Sequence, residues 1–347
     1  MSSWPAVLSE LVARRDLTTA AATWAMDQIL AGEATQAQIA GFAVALRAKG
    51  ETVAELTALA DAMLARATPI DLDTAAVDVV GSGGDRANTV NVSTMAAIVT
   101  AAMGVPVVKH GNRAASSACG TADCLETLGV ALDVPPEAQA RVLARTRIVF
   151  MFAPLYHPSL RFAGAPRREL GVPTTFNFLG PLANPARPVA QAIGCADVRM
   201  APLMAGVIAA RGHRGLVFHG GDGLDELTTT TASRVWVVRD RRVSETSLDP
   251  ADLGLARSVP SDLVGGAPEH NAQVVRDLVA GATGPVRDIV LLNAAAAALA
   301  FAGADPDEPL AGQLAPKLAS AAHAIDSGAA ASLLEAWISA SREARSA

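Results

Sequence analysis

The first seventy residues carry apolar side chains at helical spacing and contain no run typical of a strand. This pattern predicts helices at about 4–14, 18–30, 35–48 and 52–66. Threonines that suit N-caps precede three of these segments, and glycines that suit C-caps follow two of them: Thr18 or Thr19, Thr35, Thr52, Gly32 and Gly50. The apolar stripes predict a helical cluster, which packs either against the rest of the chain or against a second subunit.

After a linker at 68–74, short β-branched runs such as VDVV, VPVVK and GLVFHG alternate with alanine-rich segments. Such alternation is typical of an α/β fold with a mostly parallel central sheet. We predict strands at about 77–80, 105–108, 148–152 and 216–218, with a hairpin formed by 233–238 and 243–248. The predicted helices lie at about 93–103, 136–145, 270–281, 285–302, 311–326 and 329–344.

The change of pattern predicts a small all-helical domain at 1–70 and a large α/β domain at 71–347. The segment at about 160–188 is an exception. Its prolines and glycines prevent one long helix. We expect this segment to return to the helical domain and to close a ligand between the two domains.

Composition and charge narrow the class of protein. The chain has 347 residues, 51% of them hydrophobic, which is enough for a sizeable core. Its formal net charge of −6 argues against a general nucleic-acid binder, although six arginines and no acidic residue lie between Arg141 and Arg168. The three cysteines lack metal-ligand spacing, so neither a zinc site nor a disulfide framework is indicated. We therefore expect the protein in a reducing cytoplasm. We expect no signal peptide or membrane span, and the alanine-rich run 289–302 suits a core helix.

The stretch from Ala76 to Thr94 reads as a strand, a glycine-rich turn and a helix start, an arrangement that can hold a phosphate. The glycines of GSGGD at 81–85 allow backbone amides to converge on an anion. A helix that begins near Asn91 adds the positive end of its dipole. A glycine-rich turn alone can equally be a tight turn. The aspartate in this one favours a cation or sugar hydroxyls between it and the phosphate.

A second polar turn, KHGNRAASS at 109–117, also follows a predicted strand. It concentrates a lysine, an imidazole, an amide, an arginine and two hydroxyls at the carboxyl end of the sheet, where open α/β folds bind ligands. Each of these residues alone could be a turn cap or a surface residue. Their combination favours a binding site.

These turns belong to a set of motifs that extends over most of the chain: GSGGD at 81–85, NVST at 91–94, KHGNRAASS at 109–117, RREL at 167–170, FNFLGPLANP at 176–185 and GLDELTT at 223–229. In this order the motifs resemble the anthranilate phosphoribosyltransferase family. The resemblance implies a helical domain hinged to an α/β domain, as in pyrimidine nucleoside phosphorylases, and a homodimer formed through the helical part. It also implies the joining of anthranilate to 5-phosphoribosyl 1-diphosphate (PRPP), with Mg²⁺ as cofactor, and no nucleic-acid or membrane partner.

The resemblance implies the following PRPP-binding residues: Gly81, Gly84, Asp85, Thr89, Asn91, Val92, Ser93, Thr94, Lys109, His110, Gly111, Asn112, Arg113, Ala114, Ala115, Ser116, Ser117 and Thr121. It implies that Gly81, Asn112 and Arg167 contact anthranilate. It also implies that Ser93, Asp225 and Glu226 bind Mg²⁺. No residue is assigned as a general acid or base, because the amine of anthranilate is neutral at pH 7 and its lone pair can attack directly.

Several alternatives stay open at this point. Arg167 or Arg168 could be a surface residue paired with Glu169, and an Asp-Glu pair in a loop is often only solvated. Three positions depart from the family pattern, although none removes a metal ligand: Ser82, Thr121 and Pro173. A pyrimidine nucleoside phosphorylase and a catalytically idle nucleic-acid-binding relative are the rival functions. The FNFLGPLANP motif argues against the first and the acidic composition against the second.

Overall fold

A seven-stranded sheet forms the centre of the protein, as seen in a computed structural model that describes residues 2–114 and 118–346. The strands lie in the order β3-β2-β1-β4-β5-β6-β7. Their bounds are β1 Val77–Gly81, β2 Val107–Gly111, β3 Ile148–Phe152, β4 Ala190–Gly194, β5 Arg214–Gly220, β6 Ser233–Arg239 and β7 Arg242–Leu248. The first five strands pair in parallel, and β6 and β7 add an antiparallel edge. This arrangement confirms the predicted mostly parallel sheet.

The order of strands reverses at β1. Strands β2 and β3 lie on one side of β1, and β4 and the later strands lie on its other side. The carboxyl ends of β1 and β4 lie side by side, with Gly81 opposite Gly194. Connections that leave such a point in opposite directions open a crevice at the carboxyl edge of the sheet. The sheet topology therefore places a binding crevice directly beyond the GSGGD turn.

The N-terminal region is helical, as predicted. Its helices are α1 Trp4–Val12, α2 Thr19–Ala31, α3 Gln36–Lys49 and α4 Val53–Ala65. The side chains of Thr18, Thr35 and Thr52 each accept a hydrogen bond from the backbone three residues on, so all three predicted N-caps are present. Gly32, in the left-handed region at φ 77°, ends α2.

The remaining helices surround the sheet. They are α5 Val92–Ala102, α6 Thr121–Leu128, α7 Pro136–Thr146, α8 Ala153–Tyr156, α9 Gly164–Leu170, α10 Phe176–Leu179, α11 Ala201–Ala210, α12 Pro268–Val279, α13 Pro285–Ala302, α14 Leu310–Asp326 and α15 Ala329–Arg345. Helix α13 is long and apolar enough to span a membrane by composition, but 72% of it is buried inside the protein. It is a core helix, in agreement with the interpretation of its alanine-rich run.

The apolar core has two parts. One lies between the sheet and helices that include α5 and α13. The other joins the N-terminal helices to α11 and to the opposite face of the sheet, and it includes Ala163, Phe176 and Leu182 from the segment at 160–188. This segment therefore packs beside the N-terminal helices.

Sequence patterns missed β4 and the helices α6, α8, α9, α10 and α11. The residues of β4 read AQAIG and contain a single β-branched side chain, so their intrinsic strand propensity is low. Pairing with β1 on one side and β5 on the other holds this segment extended. The strand predicted at 105–108 begins two residues later, at Val107, and continues to Gly111.

Candidate active site

The two polar turns meet at one cavity at the carboxyl edge of the sheet. The cavity has a volume of about 310 Å³ and is lined by the GSGGD turn, the start of α5, the second turn and the Asp225–Glu226 pair. Among the predicted residues that the structure describes, Thr94 alone does not line it; this side chain is buried, and its hydroxyl has no hydrogen-bond partner within the described ranges. The predicted residues Ala115, Ser116 and Ser117 lie outside the described residues.

The glycine turn wraps around a carboxylate. Gly83 and Gly84 adopt φ of 69° and 90°, the left-handed region that side chains other than glycine rarely occupy. The Gly83 amide donates a 2.6 Å hydrogen bond to Asp225 Oδ2. At Gly81 an added Cβ would lie 2.2 Å from the same oxygen. The turn and the carboxylate are therefore fitted to each other at close range.

The start of α5 lines the same cavity. Two hydrogen bonds fix the Asn91 side chain: its Oδ1 accepts from Asn271 at 2.8 Å, and its Nδ2 donates to the Cys119 carbonyl at 3.2 Å. The Glu226 carboxyl lies close to the Ser93 backbone; burial and the charge of Asp225 raise its pKa well above the usual value, and the Ser93 N–H only partly opposes that rise. A carboxyl group thus lies at the N-terminal end of α5, where the helix dipole favours a negative charge.

Lys109 connects the two turns. Its ammonium is 1% exposed and donates hydrogen bonds to the Val79 carbonyl and, at 3.2 Å, to Ser93 Oγ. Burial lowers the pKa of Lys109, whereas the charges of Asp78 and Glu226 raise it. A buried cation between the glycine turn and the helix start is well placed for a phosphate oxygen.

Arg113 is turned toward protein carboxylates in this structure. Its guanidinium pairs with Asp123 at 2.8 Å and with Glu126 at 2.8 Å, and it stacks over the ring of Phe152 at 5.5 Å. These carboxylates raise its pKa. A PRPP phosphate would have to compete with both of them for this side chain.

Below the second turn lies a buried polar network that sequence reasoning missed. Asp78 is fully buried, and its carboxylate accepts hydrogen bonds from the His110 amide at 3.1 Å and from Asn184 Nδ2 at 2.8 Å. Burial is the main reason that the pKa of Asp78 rises to about 6. Burial also lowers the pKa of His110 to about 3, and its Nδ1 lies 3.2 Å from the Gly180 carbonyl, so the ring is neutral with that nitrogen as the donor.

Arg167 approaches the cavity from α9, on the side of the 160–188 segment. Within the described ranges it makes no ion pair, and its guanidinium lies 5.9 Å from the centre of the Phe176 ring. Burial lowers its pKa. The neighbouring Arg168 is exposed. Asn177 also lines the cavity and was not predicted, although its motif was recognised.

The carboxylates repel one another across the cavity. Burial and the neighbouring charge of Asp85 raise the pKa of Asp225 to about 7. Burial and Asp225 raise the pKa of Glu226 well above its usual value. A bound cation would relieve this repulsion, and carboxylate and hydroxyl oxygens are the ligands that Mg²⁺ prefers. Among the described residues, no group of three or more His, Cys, Asp or Glu side chains is arranged to hold a metal ion.

Comparison with known proteins extends over both regions of the chain. The model of the glycosyl transferase family helical bundle domain matches residues 5–67, and that of the glycosyl transferase family a/b domain matches residues 73–331. Anthranilate phosphoribosyltransferase of Acidothermus cellulolyticus is 60% identical over 99% of this chain and 96% of its own. The enzyme of the same name from Saccharopolyspora erythraea is 58% identical over 98% of this chain and 97% of its own.

Solved structures agree with these relatives. The crystal structure of anthranilate phosphoribosyltransferase from Thermus thermophilus superimposes with a TM-score of 0.89 at 39% identity, covering 97% of this chain and 99% of that one. The Saccharomyces cerevisiae enzyme in complex with PRPP and Mg gives a TM-score of 0.87 at 25% identity, with 98% of both chains covered. Sequence, fold and cavity therefore point the same way, and this chain belongs to the anthranilate phosphoribosyltransferase family.

Proposed function

We propose that this protein transfers the 5-phosphoribosyl group of PRPP to anthranilate, giving N-(5-phosphoribosyl)anthranilate and diphosphate, a step of tryptophan biosynthesis. One observation carries the proposal. A single cavity combines a glycine turn, a helix start, a buried lysine and a carboxylate pair with a separate arginine that has no carboxylate partner in the described residues. The first group of features suits a metal-bound sugar diphosphate, and the arginine suits an organic carboxylate.

The chemistry requires stabilisation of a leaving group more than activation of a nucleophile. Breaking the bond between C1 and the diphosphate builds negative charge on the diphosphate and positive charge on the ribose. Lys109 and the backbone amides of the glycine turn would bind the diphosphate oxygens. Because Lys109 is held by the Val79 carbonyl and Ser93, it needs little rearrangement to do so.

The residues Asp225, Glu226 and Ser93 would hold Mg²⁺ on the diphosphate side of the cavity. The ion, when bound, supplies charge neutralisation for the departing diphosphate. The PRPP and Mg complex of the yeast relative supports this proposal. The hydrogen bond from the Gly83 amide at 2.6 Å would orient the Asp225 carboxylate toward the cavity.

Arg167 would bind the carboxylate of anthranilate, since a planar guanidinium can donate two parallel hydrogen bonds to it. Asn112 and Gly81 line the same cavity as this arginine and would place the amine next to C1 of the ribose. A structure of the yeast relative in complex with 4-fluoroanthranilate supports an anthranilate subsite. The amine attacks as the neutral base, so the protein needs only to orient it.

The expected homodimer and the cytoplasmic location are part of the same proposal. Val12 on α1 is 77% exposed and Val44 on α3 is 45% exposed, so the helical region presents apolar side chains to solvent. Such side chains suit contact with a second copy of the chain. Sedimentation equilibrium should give twice the mass of the chain, and a monomer at micromolar concentration would contradict this part.

Loss of anthranilate fluorescence tests the reaction most directly. The purified protein should consume anthranilate only when PRPP and MgCl₂ are both present, and EDTA should stop the loss. The absence of turnover at any substrate concentration would refute the proposed function. In a parallel reaction, release of a pyrimidine base from a nucleoside with phosphate would instead identify the rival phosphorylase.

A further inference from the structure

Helix α13 carries one polar residue in an otherwise apolar stretch. From residue 289 to residue 300 only Asn293 has a polar side chain, and all twelve positions are buried. Asn293 itself is 1% exposed. A buried amide costs free energy unless it is hydrogen-bonded, so the role of this side chain should be visible in its partners.

The partners of Asn293 converge on one loop residue. Its Oδ1 accepts from the Leu227 amide at 3.0 Å, and its Nδ2 donates to the Leu227 carbonyl at 2.8 Å. The same Nδ2 also donates to the Ile289 carbonyl of its own helix at 2.9 Å. The side chain thus pairs with the backbone of Leu227 in both directions, much as a neighbouring strand would.

Leu227 directly follows the carboxylate pair. Its side chain is fully buried, and the loop before it is held on the cavity side by the 2.6 Å hydrogen bond from the Gly83 amide to Asp225. Asn293 holds the same loop from the core side. The backbone next to the two carboxylates is therefore fixed between the glycine turn and the buried core helix α13.

We propose that Asn293 is a positioning residue that sets the distance and direction of Asp225 and Glu226 for binding Mg²⁺ with PRPP. The inference rests on the proposed function. Asn293 acts only through the Leu227 backbone and does not touch the substrate. An amide is required at this position, because its donor faces two carbonyls and its acceptor faces an N–H.

The test compares Asn293→Asp with Thr100→Val. An aspartate of nearly the same shape keeps the acceptor toward the Leu227 amide but places an oxygen against the two carbonyls. Thr100 is the matched control because it is also fully buried and its hydroxyl donates to the Ala294 carbonyl on the same helix at 3.4 Å, away from the loop. Both variants lose a buried hydrogen bond to or from α13.

Two measurements separate positioning from simple destabilisation. In Asn293→Asp, the Mg²⁺ concentration for half-maximal activity and the Kd for PRPP, titrated calorimetrically in MgCl₂, should each rise about tenfold or more, while the KM for anthranilate stays within about twofold. Thr100→Val should lower the Tm with neither constant changed. A variant of Asn293 that loses Tm but keeps both wild-type constants would overturn the inference, and so would a parallel rise in the anthranilate KM.

A second variant covers the case in which the aspartate prevents folding. Asn293→Ala suits the surrounding alanine-rich helix. It removes the hydrogen bonds to the Leu227 backbone without burying a charge. The same rise in both constants is expected, and unchanged constants would again overturn the inference. If the wild-type protein binds PRPP with Mg²⁺ but shows no turnover, the proposed function fails, whereas the calorimetric comparison still decides the role of Asn293.

Discussion

Replacement of Gly81 by alanine should damage the active site through a single steric contact. The φ of Gly81 lies outside the left-handed region, so the alanine backbone itself is not strained. The new Cβ, however, would lie 2.2 Å from Asp225 Oδ2 and 2.9 Å from its Cγ. To reach ordinary van der Waals distance, the carboxylate must retreat by about 1 Å.

The size of the effect follows from the hydrogen bond that this retreat breaks. The Gly83 amide donates to the same Asp225 oxygen at 2.6 Å, and a hydrogen bond to a charged group contributes about 1.5–3 kcal/mol. That range corresponds to a factor of about 10–150 in a rate or binding constant. We therefore expect kcat/KM for PRPP to fall by about 10- to 150-fold, with a higher Mg²⁺ requirement.

Steady-state kinetics with anthranilate fluorescence measures this change. The matched control is Gly312→Ala, because Gly312 lies within α14, has no atom within 4 Å of its added Cβ, and is remote from the cavity. The control should keep wild-type kinetics and gain about 0.5–1 kcal/mol of stability. A Gly81→Ala enzyme whose kcat/KM is within about threefold of wild type would refute the reasoning.

Three further predictions concern charge. Arg167→Ala should raise the KM for anthranilate about tenfold or more with a smaller change for PRPP, as measured by steady-state kinetics, and an unchanged anthranilate KM would reject the role of this residue. Asp225→Asn combined with Glu226→Gln should abolish saturation by Mg²⁺ in a titration of activity, so an unaltered Mg²⁺ curve would rule out the ligand assignment. The raised pKa of Asp78, about 6 in place of 3.8, means that the folded protein binds this proton more tightly than the unfolded chain does. Between about pH 4 and pH 6.5, wild type should therefore lose about 2 kcal/mol of unfolding free energy relative to Asp78→Asn, as measured by urea titration, and a difference independent of pH would contradict the shift.

Much of the fold follows from local pattern. The strand at 148–152 and the helix at 285–302 have the predicted bounds, because a β-branched and aromatic run and a long alanine-rich run each have one strong preference. The three threonine caps were also correct, since an N-cap depends only on residues three apart. By contrast, β4 is extended because of its two neighbours, which no local window contains.

In the site, too, features set by local sequence could be predicted and features set by distant contacts could not. The motifs located most of the cavity lining, because each turn is contiguous in sequence. The supporting contacts join residues far apart along the chain: Asn184 reaches Asp78 across 106 positions, and Asn293 reaches Leu227 across 66. The sequence around a single buried asparagine does not indicate which distant residue it will hydrogen-bond. Resemblance also could not show that Arg113 is paired with carboxylates in this structure.

The ion pairs of Arg113 have a consequence for selectivity. With this guanidinium neutralised by Asp123 and Glu126, and Lys109 facing the Asp225–Glu226 pair, these two cations give the cavity little excess positive potential. Abundant cellular anions such as free phosphate or nucleotides would gain little by entering it. If the proposed function holds, a ligand that brings its own divalent cation would avoid this barrier, so the resting arrangement of charges would favour a metal-complexed diphosphate over free anions.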